Sequence, residues 1–155
     1  MTTPLPAPVT EKRGIAAWNA GLLPAVFAGF LVLHGLVHVV GFTNPWGLGS
    51  PRGVEYSTLI LNGSIEVGDT AVKALGFVWL AAAVAFALVG MMVWRGHPWA
   101  RRAAIALTLG SLVLCTVGLP NARYGLAIDL ALLAALVVAP RSLIARPAGR
   151  ADGPR

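Results

Sequence analysis

Residues 74–94, ALGFVWLAAAVAFALVGMMVW, decide the class of this protein. The 21 residues carry no charge, and Lys73 and Arg95 close the run on either side. As a helix at 1.5 Å per residue it rises about 31 Å, close to the thickness of the hydrocarbon layer of a bilayer. The apolar residues run without a break, where a soluble core would show a 3.6- or 2-residue alternation. Lipid is the solvent that fits.

Three further apolar runs flank this one. Leu22–Phe42 is the first span, with His34 and His38 as its only ionisable groups. Ala103–Leu119 follows Arg101–Arg102 and ends at Pro120. Gly125–Ala139 is the fourth and shortest; it contains Asp129 and lies between Arg123 and Arg141, whose stems can snorkel to lengthen it. The sequence therefore predicts an all-α membrane protein, a four-helix up-down bundle over 14–139. Residues 1–13 read as a disordered basic tail, 140–155 as a basic cytoplasmic tail, and Gly14–Gly21 with Trp18 as an interfacial segment. The first run is too long for an ordinary signal peptide, and Gly41–Ser50 offers no small-x-small cleavage site.

Composition agrees. Of 155 residues 57% are hydrophobic and 12% charged, against about a quarter charged in a soluble domain. The net charge of +6 sits between and after the apolar runs, with no basic stripe interleaved with aromatics, so nucleic acid is not the expected partner. The expected partners are the lipid bilayer and either a second copy or another membrane protein. The abundance of Ala and Gly, with Arg far outnumbering Lys, points to a GC-rich bacterial genome.

Orientation follows from the basic residues. With the amino terminus inside, Lys12, Arg13, Arg95, Arg101, Arg102, Arg141, Arg146, Arg150 and Arg155 are inner, and Arg52, Lys73 and Arg123 are outer. Nine against three places both termini in the cytoplasm. Glu55, Glu66 and Asp69 then share the outer loop, 43–72. Within it Thr58–Leu61 and Ser64–Val67 flank Asn62-Gly63, which favours a type I′ hairpin; a short interfacial helix over Val54–Leu61 competes with that reading. Asp69 stands where it could cap the second span.

Residues able to carry chemistry are few. His34 and His38 are one turn apart and face the same way, so the pair could bind a metal ion, give a haem iron an axial ligand, relay protons, or simply hydrogen-bond a neighbouring helix. No other span contains His, so a bis-histidine haem would need two protomers. Asp129 is the only acid within a span, and an intramembrane carboxylate is a functional candidate by default. Counted from the span ends, His38 and Asp129 lie at matched depth, which predicts a His38–Asp129 contact; Arg123 is the rival partner. Thr108, Ser111 and Cys115 form a stripe on the third span and, with Ala25, Gly29 and Gly35 on the first, read as helix-packing positions. Trp46, Trp94 and Trp99 fall at span ends as interfacial anchors, and His97 lies in an inner loop. The single cysteine, Cys115, excludes an intrachain disulfide, and no P-loop, nucleophile elbow or dinucleotide fingerprint is present.

The stretch LHGLVHVVGF, Leu33–Phe42, resembles the HGLxHxxGF first span of a group of uncharacterised bacterial four-helix membrane proteins. Lys73–Leu80 (KALGFVWL) is similar to that group's second-span start, and Asn121–Leu130 (NARYGLAIDL) to its DAKFG-like segment before the fourth span. Asn121 stands where that group has Asp, and Asp129 where it has Asn. The resemblance implies the four-helix topology, directs attention to His34, His38, Asn121 and Asp129, and supplies no reaction. The leading expectation is a non-enzymatic accessory or partner-binding membrane component. The alternatives are a metal-, haem- or proton-binding protein using His34 and His38 with Asp129, a small oligomeric transporter, and an enzyme on a lipid or quinone with His38 as base and Asp129 orienting it.

Overall fold

The computed structural model describes the backbone over residues 10–138 and side chains from residue 21 onward. Four helices follow in order: α1 (Thr10–Thr43), α2 (Gly68–Trp94), α3 (Ala100–Val117) and α4 (Arg123–Val138). Between α1 and α2 lies a hairpin of β1 (Leu59–Ile60) and β2 (Ile65–Glu66). Three stretches are long and apolar enough to cross a membrane: Gly21–Thr43 within α1, and the whole of α2 and α3. With 16 residues, or about 24 Å, α4 is short for a crossing by length alone. The carboxyl-terminal tail and Ala139 lie outside the described residues. At the other end α1 begins at Thr10, so Thr10–Arg13, expected in the disordered tail, are helical; Glu11, Lys12 and Arg13 are good helix formers.

Helices α1 and α2 approach most closely, and they do so at glycines. A methyl built on Gly35 would stand 2.5 Å from Phe86 Cβ and 3.0 Å from the Ala83 carbonyl oxygen. One built on Gly41 would overlap the Trp79 ring, and one on Gly90 would reach the Ala28 carbonyl oxygen at 3.0 Å. Partner numbers rise on α1 as they fall on α2, so the two helices run antiparallel. Small residues let apolar helices gain dispersion contact where lipid gives no hydrophobic drive. Gly35 thus packs as expected, but Gly29 does not: it is exposed, with open space where its Cβ would be. The buried face of α1 runs instead through Pro24, Ala28 and Leu31, with Ala25 half-buried at its edge.

The interior has two halves. Away from the hairpin, Ala28, Leu31, Phe86, Val89, Val93, Ala100, Ala104, Leu132 and Leu136 form one apolar cluster drawn from all four helices. Arg101 closes that end: its guanidinium donates to the Leu136 carbonyl at 2.7 and 3.0 Å and to Val137 at 3.1 Å, satisfying carbonyls that the end of α4 leaves without helical partners. Nearer the hairpin the buried residues include the polar His34, His38, Ser111 and Asp129, beside Leu114 and Cys115.

The hairpin is smaller than the sequence predicts. Leu59 pairs with Glu66 and Ile60 with Ile65, so the loop is 61–64 and not the two residues Asn62-Gly63 of a type I′ turn. Leu61, Asn62 and Gly63 all have positive φ, at 51°, 58° and 83°. The cause is a tertiary contact: the Leu61 and Asn62 N–H groups donate to the carbonyls of Val117 (2.9 Å) and Leu119 (3.0 Å), capping the end of α3. No helix forms over Val54–Leu61. Asp69 does not cap α2 either; it lies inside the first turn, accepts from Tyr56 Oη at 2.6 Å and pairs with Lys73 at 2.9 Å.

Replacing Gly35 by Ala should lower stability by about 1–3 kcal/mol, because Phe86 and the α2 backbone must both give way. Gly29→Ala should change it by less than about 0.5 kcal/mol. Reversible unfolding in mild detergent compares the two, and equal effects would contradict the packing described.

Candidate functional site

His34, His38, Ser111 and Asp129 are all buried, and Asp129 has no exposed surface. In α1 the four-residue spacing of the histidines puts both rings on one face. Ser111 comes from the stripe on α3, and Asp129 from the second turn of α4. An unbroken chain of hydrogen bonds joins them. His34 Nε2 lies 2.7 Å from Asp129 Oδ1, Asp129 Oδ2 lies 2.7 Å from Ser111 Oγ, and Ser111 Oγ lies 2.8 Å from His38 Nε2. His38 Nδ1 closes the circuit by donating to the His34 carbonyl oxygen at 3.1 Å.

The expected His38–Asp129 contact is therefore indirect, and the residue in direct contact is His34. Depth along the helices explains the difference. Asp129 is six residues into α4, about 9 Å deep, while His38 and His34 are about 7.5 and 13.5 Å from the end of α1. The carboxylate falls between them, taking one directly and the other through Ser111.

Aromatic rings wall the site on the α2 side. Phe86 meets His34 edge to face at 4.8 Å between centroids and lies 5.2 Å from His38. Trp79 lies 5.3 Å from His38, and its ring also fills the space beside Gly41 and Gly118. Phe30 stacks parallel to His34 at 6.3 Å. In such a surround an unmatched charge or hydrogen-bonding group is costly, by about 1–3 kcal/mol for a neutral group and more for a charge. Among the described residues one buried side-chain polar atom has no partner, and it is Nδ1 of His34.

The other expected site residues separate. Arg123 is exposed, with its guanidinium 4.9 Å over the Tyr124 ring, and makes no pair with Asp129. Asn121 is also exposed; its amide donates to the Glu55 carbonyl at 3.1 Å and pins the outer loop to the turn before α4. Both belong to the mouth, where Tyr56 sits beside Asp69 and the hydrogen bond to that carboxylate pushes the Tyr56 hydroxyl pKa above its ordinary value. Thr108 is buried but spends its hydroxyl on the Ala104 carbonyl at 2.8 Å. Cys115 is buried beside Asp129 and Ser111, with Gly125 packed against its sulfur. His97 is exposed.

As a metal chelate the histidine pair is poorly disposed. The rings stand edge to face, with centroids 5.0 Å apart, and three of the four ring nitrogens already have protein partners. Among the described residues no group of three or more His, Cys, Asp or Glu is placed to hold a metal ion. What the arrangement can do is hold and move protons, since the short contacts join two bases, a hydroxyl and an acid.

Ser111→Ala would strip Asp129 Oδ2 and His38 Nε2 of a partner at once, for an expected loss of about 1–3 kcal/mol in detergent unfolding. Arg123→Ala and Asn121→Ala should leave the buried site intact, and a larger loss from Arg123→Ala than from Ser111→Ala would refute this assignment. Neither protein-family models, curated proteins nor solved structures give a match to this chain.

Proposed function

We propose that this protein is a non-enzymatic, multi-pass component of a bacterial cytoplasmic membrane whose working part is a proton-binding cluster of His34, His38, Ser111 and Asp129. One observation carries the reading: the cluster's four side chains, from three helices, form one continuous run of hydrogen bonds of 2.7 to 2.8 Å in a mostly apolar interior. Separate polar anchors between helices would serve packing as well without being contiguous. A buried His–Asp contact linked onward through a hydroxyl to a second His is the arrangement along which protons redistribute at little cost in charge separation.

In this reading all four helices cross the membrane as an up-down bundle, and Arg123 lengthens α4 by reaching towards the headgroups. The excess of basic residues beside the α2–α3 turn and in the tails keeps both termini cytoplasmic. The hairpin then faces outward, and the cluster lies in the outer half of the bilayer. The resemblance of Leu33–Phe42 to the bacterial HGLxHxxGF proteins supports the same topology.

Two measurements test this. Proton uptake on acidification, followed potentiometrically on the full chain in lipid nanodiscs, should exceed that of a His34→Gln/His38→Gln variant of matched thermal stability. Superimposable curves would reduce the cluster to a packing device. For orientation, Ser57→Cys should react with an impermeant maleimide added to intact cells, and Ala148→Cys only after permeabilisation; the reverse pattern would overturn the topology.

A further inference from the structure

Four contacts hold the cluster together, and each needs one proton between its two heavy atoms. His38 Nδ1 faces a carbonyl oxygen, which can only accept, so that nitrogen carries a hydrogen. Ser111 has a single hydroxyl hydrogen to share between Asp129 Oδ2 and His38 Nε2. If it goes to Asp129, His38 must donate from Nε2 as well, and the cluster holds an imidazolium and a carboxylate. If it goes to His38, Asp129 must be the acid and donate to Ser111. With Asp129 ionised, or protonated on the Oδ2 that faces Ser111, His34 donates from Nε2 to Asp129 Oδ1.

Both arrangements use four protons and leave the cluster with no net charge. A neutral His34, a neutral His38, a serine and an aspartic acid bring four exchangeable hydrogens between them. No proton remains for His34 Nδ1, which is the one buried side-chain polar atom without a partner among the described residues. With one proton fewer, a contact of the four would set two acceptors against each other. With one more, the vacant position is that nitrogen.

We infer that His34 Nδ1 is the site at which the cluster takes up a proton, and that the Ser111 hydroxyl relays a proton between Asp129 and His38; this rests on the proton-binding reading above. In the relay the Asp129 Oδ2–H bond breaks as a Ser111 Oγ–H bond forms, while the serine's original proton bonds to His38 Nε2. Acid and imidazole become carboxylate and imidazolium, with no atom displaced by more than a hydrogen shift. Uptake at Nδ1 places the positive charge on a ring already 2.7 Å from the carboxyl group. The titratable and polar groups facing the cluster are few. From α3 they are the Cys115 thiol and the Thr108 hydroxyl, which is bonded within its own helix; α2 contributes only Phe86 and Trp79. Phe30 of α1 covers His34, and α4 adds nothing beyond Asp129.

The chain has three histidines, so ring nitrogen NMR on 15N-histidine-labelled protein in nanodiscs can resolve every nitrogen, with His97→Gln assigning the exposed one. At neutral pH His34 should show a protonated Nε2 and a bare Nδ1. Acidification should abolish the bare Nδ1 signal, and His34→Gln should take up about one proton fewer per chain. In Asp129→Asn, with His34 Nε2–H still donating to the amide oxygen, the amide nitrogen faces Ser111 and donates to it, so Ser111 must donate to His38. His38 should there show a bare Nε2 and a protonated Nδ1. A parent His34 protonated at Nδ1 and bare at Nε2, or an Asp129→Asn variant whose His38 is protonated at both nitrogens, would overturn the assignment while leaving measured proton uptake, and with it the proposed function, in place. Absence of uptake in the parent would instead remove both.

Discussion

A carboxyl group with no exposed surface is the constraint around which this molecule is arranged. Asp129 has two oxygens to satisfy and no exposure to bulk solvent. One is met from α1 by His34 and the other from α3 by Ser111, so a single side chain on α4 ties three helices together. Backbones of α1 and α2 meet at glycines, whereas α1 reaches α3 and α4 through long polar side chains. The close glycine seam and the wider polar seam are two answers to one problem. Without a hydrophobic drive between helices, association relies on either dense packing or hydrogen bonds.

The same division runs along the length of the helices. Leu31, Val89, Val93, Ala104, Leu132 and Leu136 fill the half away from the hairpin, and the histidine cluster lies in the other with Leu114 and Cys115. The hairpin belongs to the polar half in a structural sense too. Its Leu61 and Asn62 amides complete the end of α3, and Asn121 holds the loop to the turn leading into α4. Those contacts hold the hairpin and outer loop against the turn that joins α3 to α4. Trp79 closes the arrangement by packing against Gly41 of α1, Gly118 after α3, and the His38 ring.

Much of this was legible in the sequence, because lipid imposes simple rules. Uncharged runs of helical length marked the three apolar helices, and Asn62-Gly63 between β-branched residues marked the hairpin. The i, i+4 spacing of His34 and His38, and the isolation of Asp129 as the one acid in an apolar run, marked the cluster. What could not be read depends on distances between elements. Whether His34 or His38 meets Asp129 turns on a few residues' difference in where helices start, and helix ends are the least certain feature of any sequence reading. The choice between Gly29 and Gly35 as a packing site depends on which face of α1 meets α2. Ser111 was visible as part of a stripe of small polar residues, but its place between two titratable groups needed the third helix in position. Trp79 sits in mid-run, and nothing local distinguishes it from the interfacial tryptophans.

Stability alone is a poor reason for such a cluster to exist. A buried acid with two imidazoles must recover its full desolvation cost from its contacts, and apolar residues of similar volume often do as well or better in the same space. The rest of the interior shows that this chain can fill a four-helix core with Leu, Val, Ala and Phe. The cluster also stops one short of full satisfaction: Nδ1 of His34 has no hydrogen-bond partner. A device meant only to hold helices together would gain by removing that nitrogen, since an unmatched buried acceptor weakens the assembly it sits in. A device meant to accept a proton needs it. Among the described residues that nitrogen is the one buried side-chain polar atom to which packing gives no use, and the proposed proton-binding role gives it one.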